Sequence, residues 1–249
     1  MKKNYLPIIF LILLISYSCE KNFDDSNKID EFKLEVLKWQ DFHNTHLDIM
    51  KLKIAENQLL NDNNFGKELC SSLVNESETN IPDFKNKEEF EIFLNNIKEN
   101  VVENNPLKKE CYNLILDALK EYITLDRMKN NDICEPLINR IDEISKYYSS
   151  KEISKNDKKE LSVMIGTARG SILYWIKNNN LHEWNELKEN NNYTVRYMCS
   201  DSEEKKQELP YESERLNDFL SYIAADALGG AVNPILGVVC SGVTAYGRS

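Results

Sequence analysis

Apolar residues recur along this chain at steps of three and four, the spacing that puts them on one face of an α-helix and on no face of a strand. From 28 to 58, Phe32, Val36, Trp39, His43, Leu47, Met50 and Ile54 form one such stripe. Four more follow: Phe90, Phe93, Leu94, Ile97 and Val101; Cys111, Leu114, Ile115, Ala118 and Tyr122; Leu137, Ile141, Ile144 and Tyr148; Leu161, Ile165, Ala168, Ile172 and Trp175. The last is expected to run over 158–177, with Asn156 or Asp157 as its N-cap. Prolines 82, 106, 136, 210 and 234 fall between stripes or at first-turn positions, where a missing amide costs nothing. Only YTVRYMC at 193–199 has the β-branched and aromatic content of a strand, and it is short. An all-α fold is expected, an irregular multi-helix bundle.

Glycine divides the chain. Five of the eight glycines lie in the last 21 residues, and 227–247 holds no charged side chain although 29% of the chain is Asp, Glu, Lys or Arg. Leu216, Phe219, Leu220, Ile223 and Leu228 give 213–231 an inward face, Asn233-Pro234 forms a corner, and 234–246 reads as a second helix. Beyond that corner about 12 residues remain, ~18 Å of helix against a ~30 Å hydrocarbon core, so a spanning helix is not expected. Gly237, Ser241 and Ala245 stand four apart on one face, the small-residue ladder of closely packed helices. Ile235, Leu236, Val238, Val239 and Val243 surround that ladder, making the helix apolar on nearly every side. The leading expectation is a buried apolar C-terminal helix. Two alternatives stand beside it: membrane insertion of 219–247 in the manner of glycine-rich bacteriocins, and a surface for self-association or a protein partner.

The other end carries an address. MKKNYLPIIFLILLISYSC has two lysines, an apolar run over 6–15, then small residues ending at a cysteine, the layout of a secretory signal too short to span a bilayer. Cys19 after Ser16-Tyr17-Ser18 resembles the lipobox of bacterial lipoproteins, with Ser16 where Leu is commonest and Tyr17 where a smaller residue is usual. That resemblance implies cleavage after 18, acylation of Cys19 with chains such as palmitate, and attachment to the outer membrane or cell surface, with a periplasmic facing as the alternative. Residues 19–27 then form a polar tether and 28–249 the helical domain, including the Gly/Ala-rich segment 219–249. Cleavage removes two of the 31 basic residues and none of the 41 acidic ones, taking the net charge from −10 to −12. So acidic a chain is not expected to bind nucleic acid.

Chemistry-bearing residues are sparse. DFHNTHLD at 41–48 sets His43 and His46 three apart with Asp41 and Asp48 beside them, two imidazoles that make weak metal candidates because no spacing supplies a third ligand. His43 lies on the apolar stripe between Trp39 and Leu47, so a hydrogen-bonded core histidine is the simpler reading. His182 is the third histidine. Neither GxSxG nor HExxH occurs, and no catalytic residue, metal or cofactor is assigned. Arg169, between Ala168 and Gly170, is expected to be exposed or paired with a carboxylate such as Asp226 or Asp48. After Cys19 five cysteines remain, Cys70, Cys111, Cys134, Cys199 and Cys240, an odd number; a Cys111–Cys134 bridge would join neighbouring helices.

The lipobox, HNxxLD (His43, Asn44, Leu47, Asp48), SILYW (Ser171, Tyr174, Trp175) and AD before a Gly/Ala-rich tail (Ala225, Asp226, Gly229, Gly230) together resemble a group of uncharacterised cell-envelope lipoproteins. The tail here is shorter and poorer in glycine than in that group, and the resemblance implies no activity. The expectation is a lipid-anchored, non-enzymatic envelope protein with a binding or structural role. Its alternatives are a membrane-active effector and an envelope hydrolase using His43 or His182.

Overall fold

In a computed structural model, residues 30–55, 87–124, 126–127, 132–178, 180, 183–184, 186–187 and 211–246 are described. They form seven α-helices: α1 (Glu31–Ala55), α2 (Lys87–Ile97), α3 (Pro106–Tyr122), α4 (Cys134–Ser150), α5 (Lys155–Ile172), α6 (Tyr211–Gly230) and α7 (Pro234–Tyr246). Two π-helical turns, Lys98–Val102 and Leu173–Lys177, extend α2 and α5. No strand occurs among the described residues. The strand candidate at 193–199, the signal segment, Cys19 and the tether lie outside them.

The helix starts follow from capping. Asn105 Oδ1 accepts from the amides of Leu107 and Lys108, and Pro106 occupies the first position of α3. Asn233 and Pro234 do the same for α7, with Asn233 Oδ1 accepting from the Leu236 amide at 2.8 Å. For α5 the expectation is corrected: the cap is Ser154, whose hydroxyl oxygen accepts from the Asp157 amide, so the helix begins at Lys155 and Asn156 and Asp157 lie inside it. A cap needs extended backbone, and that is the conformation of Ser154.

Helix α5 is the centre of the bundle. Every residue from Leu161 to Ala168 is buried, as are Gly170, Ser171 and Ile172, while α1, α3, α4, α6 and α7 all pack on it. Two of its buried hydroxyls are satisfied within the helix: Ser162 donates to the Lys159 carbonyl and Thr167 to that of Val163. At Gly166 a Cβ would lie 2.5 Å from the Val36 carbonyl oxygen, so α1 approaches to within backbone contact of α5. At Gly229 a Cβ would lie 2.6 Å from the Leu236 carbonyl oxygen, which makes the α6–α7 hairpin equally tight.

The apolar C-terminal helix is core, as expected. Val238, Val239, Cys240 and Ala245 have no exposed surface, and Leu236 and Val243 are buried. Gly237 faces Thr167 of α5, and Gly242 faces Met50 of α1. Each enclosed Val or Leu contributes about 1.5–3 kcal/mol relative to exposure, so the uncharged ending is accounted for by burial inside the fold. Among the described residues, no helix is long and apolar enough to cross a membrane.

Buried Lys108 holds the corner of the hairpin. Its ammonium donates to the Ala231 carbonyl at 2.7 Å, just past the end of α6, and pairs with Glu160 at 2.9 Å. A cation at a helix C-terminus meets carbonyls that have no partner within the helix.

Gly166→Ala and Gly229→Ala are each expected to lower stability by about 1–3 kcal/mol, since the added methyl meets backbone that cannot rotate away. The shift of the urea midpoint measures this, and an unchanged or raised midpoint would show that the helices are not in such contact.

Candidate functional site

His43, on the inward stripe of α1, has no exposed surface and is hydrogen-bonded at both ring nitrogens. Nδ1 meets Asn44 Oδ1 at 2.9 Å, and Nε2 meets Asp226 Oδ2 of α6 at 3.2 Å. The same carboxylate oxygen accepts from the Ser241 hydroxyl of α7 at 2.7 Å, and Ser241 accepts in turn from the Trp175 indole N–H at 2.9 Å. Asp226, Ser241 and Trp175 are as fully enclosed as His43. Side chains of α1, α6, α7 and the π turn are thus joined in one chain of hydrogen bonds through a single carboxylate oxygen and a single hydroxyl.

A second cluster lies beside the first. The π turn after α5 carries Tyr174 next to Trp175, and both rings are buried. The Tyr174 hydroxyl donates to Asp48 Oδ1 at 3.0 Å and accepts from the Trp184 indole at 3.2 Å. Lys51 completes the rim, paired with Asp48 and with Glu183. Edge-to-face contacts of Trp175 with Tyr174 and Trp184 pack the two clusters into one aromatic wall. Burial pushes the Tyr174 phenol well above its usual range, the Asp48 charge adds to that, and the Trp184 hydrogen bond opposes it. Tyr222, against Trp175, is pushed up to about 12 by burial and by the neighbouring Asp226.

Burial also raises the Asp226 carboxyl above its ordinary value, while His43, Ser171 and Ser241 favour its charged form. Ser171 acts from close by without reaching hydrogen-bond geometry: its hydroxyl and Asp226 Oδ1 are both enclosed and unpartnered. This carboxyl is the most heavily desolvated acid of the network, and its compensation comes from α1, α5 and α7.

Serine, histidine and aspartate meet here, but their connectivity is not that of a hydrolase. A nucleophilic serine gives its proton to the imidazole while the carboxylate orients that imidazole from the other side. In this site Ser241 and His43 both turn to the same carboxylate oxygen, and Ser241 is enclosed by the core. The arrangement ties helices together.

The other sequence candidates separate from this centre. His46 donates from Nδ1 to the Phe42 carbonyl at 2.7 Å and stacks on the Phe42 ring, so it shares no ligand position with His43. Asp41 is exposed and accepts from Gln40. Among the described residues no three His, Cys, Asp or Glu side chains are grouped as a metal requires. His182 lies outside the described residues, as do Cys70 and Cys199. Cys111 and Cys134 are thiols, not a bridge, and burial raises both above the usual cysteine range. Arg169 pairs with neither Asp226 nor Asp48. Its guanidinium is bonded to Asp142 of α4 at 2.8 Å and to Gln40 of α1, the two helices that it joins to α5. Of the small-residue ladder, Ser241 is a hydrogen-bonding member of the network, whereas Gly237 and Ala245 only pack.

Sequence reasoning missed the pairing of Asp226 with His43. The signal was present: Asp226 is the only charged residue in 219–246, and His43 the only titratable residue on the α1 stripe. It also missed Lys108, Asp142 and Trp184, which no pattern marked. The short motifs HNxxLD, SILYW and AD fall together here: His43, Asn44, Ser171, Trp175 and Asp226 belong to or border the first cluster, and Asp48 and Tyr174 belong to the second.

Elsewhere, a shallow cavity of about 320 Å³ opens between the end of α3 and the start of α4, lined by Tyr122, Asp132, Glu135, Pro136, Asn139, Arg140 and Glu143. Arg140 is already bonded to Glu143 at 2.7 Å within it. No protein family, curated protein or solved structure matches the chain.

Ser241→Ala strands the Trp175 indole and removes a donor from Asp226, with an expected cost of about 1–3 kcal/mol. His43→Ala removes an enclosed ring and the α1 hydrogen-bond partner of the buried Asp226 carboxyl, with an expected cost of about 3–5 kcal/mol. Urea unfolding followed by tryptophan fluorescence reads both, and a His43→Ala loss below that of Ser241→Ala would contradict the central place of His43 in the network.

Proposed function

We propose that this chain is a lipid-anchored helical protein of the bacterial outer membrane or cell surface, with a non-enzymatic binding or structural role. The observation that carries the reading is the position of Cys19, at the end of an apolar run over 6–15 and a short run of small residues. An acyl chain on that cysteine tethers the domain through the polar residues 19–27, and the acidic body stands off the membrane surface.

Two features support a role without chemistry. Ser241, His43 and Asp226 are turned on one another inside the bundle, and their proton relationships are those of packing. The uncharged C-terminal residues are spent on the core, so their apolar character serves the fold without recourse to a membrane. Release of the hairpin to act on a bilayer would expose Asp226 and undo the contacts of α7 with α1 and α5.

Metabolic labelling with a clickable fatty acid tests the anchor: label is expected on the wild type and none on Cys19→Ala. Equal labelling of the two proteins, or none on the wild type, would sink it. With dye-filled liposomes at neutral pH the full chain is expected to cause background leakage only, and dose-dependent release would favour a membrane-active effector instead.

A further inference from the structure

Several helix ends gather where α1 begins. Ser149, in the last turn of α4, donates through its hydroxyl to Asp30 Oδ1 at 2.7 Å, immediately before α1. Lys158, in the first turn of α5, donates to the Ser149 carbonyl at 2.7 Å. Lys151, just past α4, pairs at 2.7 Å with Glu110 near the start of α3, and Lys108 of α3 reaches the Ala231 carbonyl at the hairpin corner. One end of the bundle therefore presents together the start of α1, the start of α3, the α4–α5 turn and the α6–α7 corner.

That end differs in chemistry from the rest. From 146 to 160 five lysines stand against three carboxylates, whereas from 117 to 143, over the opposite ends of α3 and α4, four basic residues stand against seven. In a chain of net charge −10 this is a local reversal of sign. Three nearby carboxylates are already paired: Glu103 with Lys109, Glu110 with Lys151 and Glu160 with Lys108. Lys33, Lys146, Lys155 and Lys159 are exposed. So are Leu34 in the first turn of α1, Tyr147 in the last turn of α4 and Val232 at the corner, at 52%, 44% and 43%. Lysines set around scattered apolar side chains suit a headgroup layer, where the ammonium meets phosphate while the stem and its apolar neighbours meet the acyl boundary.

We propose that this end docks on a bilayer containing anionic phospholipid, so that the domain stands on the membrane with its acidic opposite end outward. The orientation rests on the anchoring of Cys19 proposed above. Cys19 and Asp30 are 11 residues apart, and the chain between them reaches at most about 40 Å, whatever path it takes. Helix α1 has 25 residues and is about 37 Å long. Standing the domain on the far end of α1 would use nearly all of that reach, whereas the lysine-bearing end lies within it. Anionic headgroups attract the lysines, each favouring contact about fivefold, and repel the acidic remainder, so charge and anchor select the same orientation.

Lysine footprinting of the acylated full chain tests this. Under single-hit conditions, the acetylation rate of each lysine on vesicles containing phosphatidylglycerol is divided by its rate in a nonionic detergent. Lys155 and Lys159 are expected to slow about fivefold or more, while Lys120 and Lys177, exposed at the opposite end, stay within about twofold. On phosphatidylcholine vesicles the slowing of Lys155 and Lys159 is expected to shrink. The mass of the N-terminal peptide reads the anchor separately. A chain without an acyl group overturns the anchoring and this orientation with it. An acylated chain whose Lys155 and Lys159 slow no more than Lys120 and Lys177 overturns the orientation alone, and equal slowing on the two kinds of vesicle overturns the anionic headgroup as partner.

Discussion

An enclosed carboxylate costs several kcal/mol unless hydrogen bonds and a counter-charge offset the lost hydration. Asp226 imposes that requirement on the whole bundle. His43 must come from α1 and Ser241 from α7, and Trp175 must reach across from the end of α5 to hold Ser241 in place. A shift of any one helix by about an ångström lengthens a bond in this set beyond useful range. Apolar packing among the same helices would tolerate sliding, because it has no direction. The carboxylate turns a general tendency to collapse into one relative placement of α1, α5, α6 and α7.

Close approach makes the network possible. Gly166 lets the α1 backbone meet that of α5, and Gly229 does the same for the two helices of the hairpin. Larger residues at those positions would hold the axes apart and leave His43 and Asp226 out of reach. The small residues of the last two helices and the buried polar chain are thus two halves of one solution: short interaxial distances for short hydrogen bonds. Lys108 closes the remaining gap by capping the corner between α6 and α7.

The helical class was written in the spacing of Phe32, Val36, His43, Leu47 and Met50 and of the later stripes, because an amphipathic period survives any tertiary arrangement. The Asn-Pro corner and the burial of α7 were legible for the same local reason: a cap, a missing amide and an absence of charge act within a few residues. The placement of His43 in the core was legible from its stripe alone. Partner choice was not. Arg169 was matched with Asp226 or Asp48 by charge, yet it pairs with Asp142 and Gln40, since the side on which it leaves α5 depends on how α1 and α4 pack. The helical body and its apolar ending were determined by sequence. That Asp226 answers to a histidine 183 residues away, with Ser241 and Trp175 completing the bond chain, was decided by tertiary structure alone, because sequence periodicity specifies which face of a helix turns inward and not which face it meets.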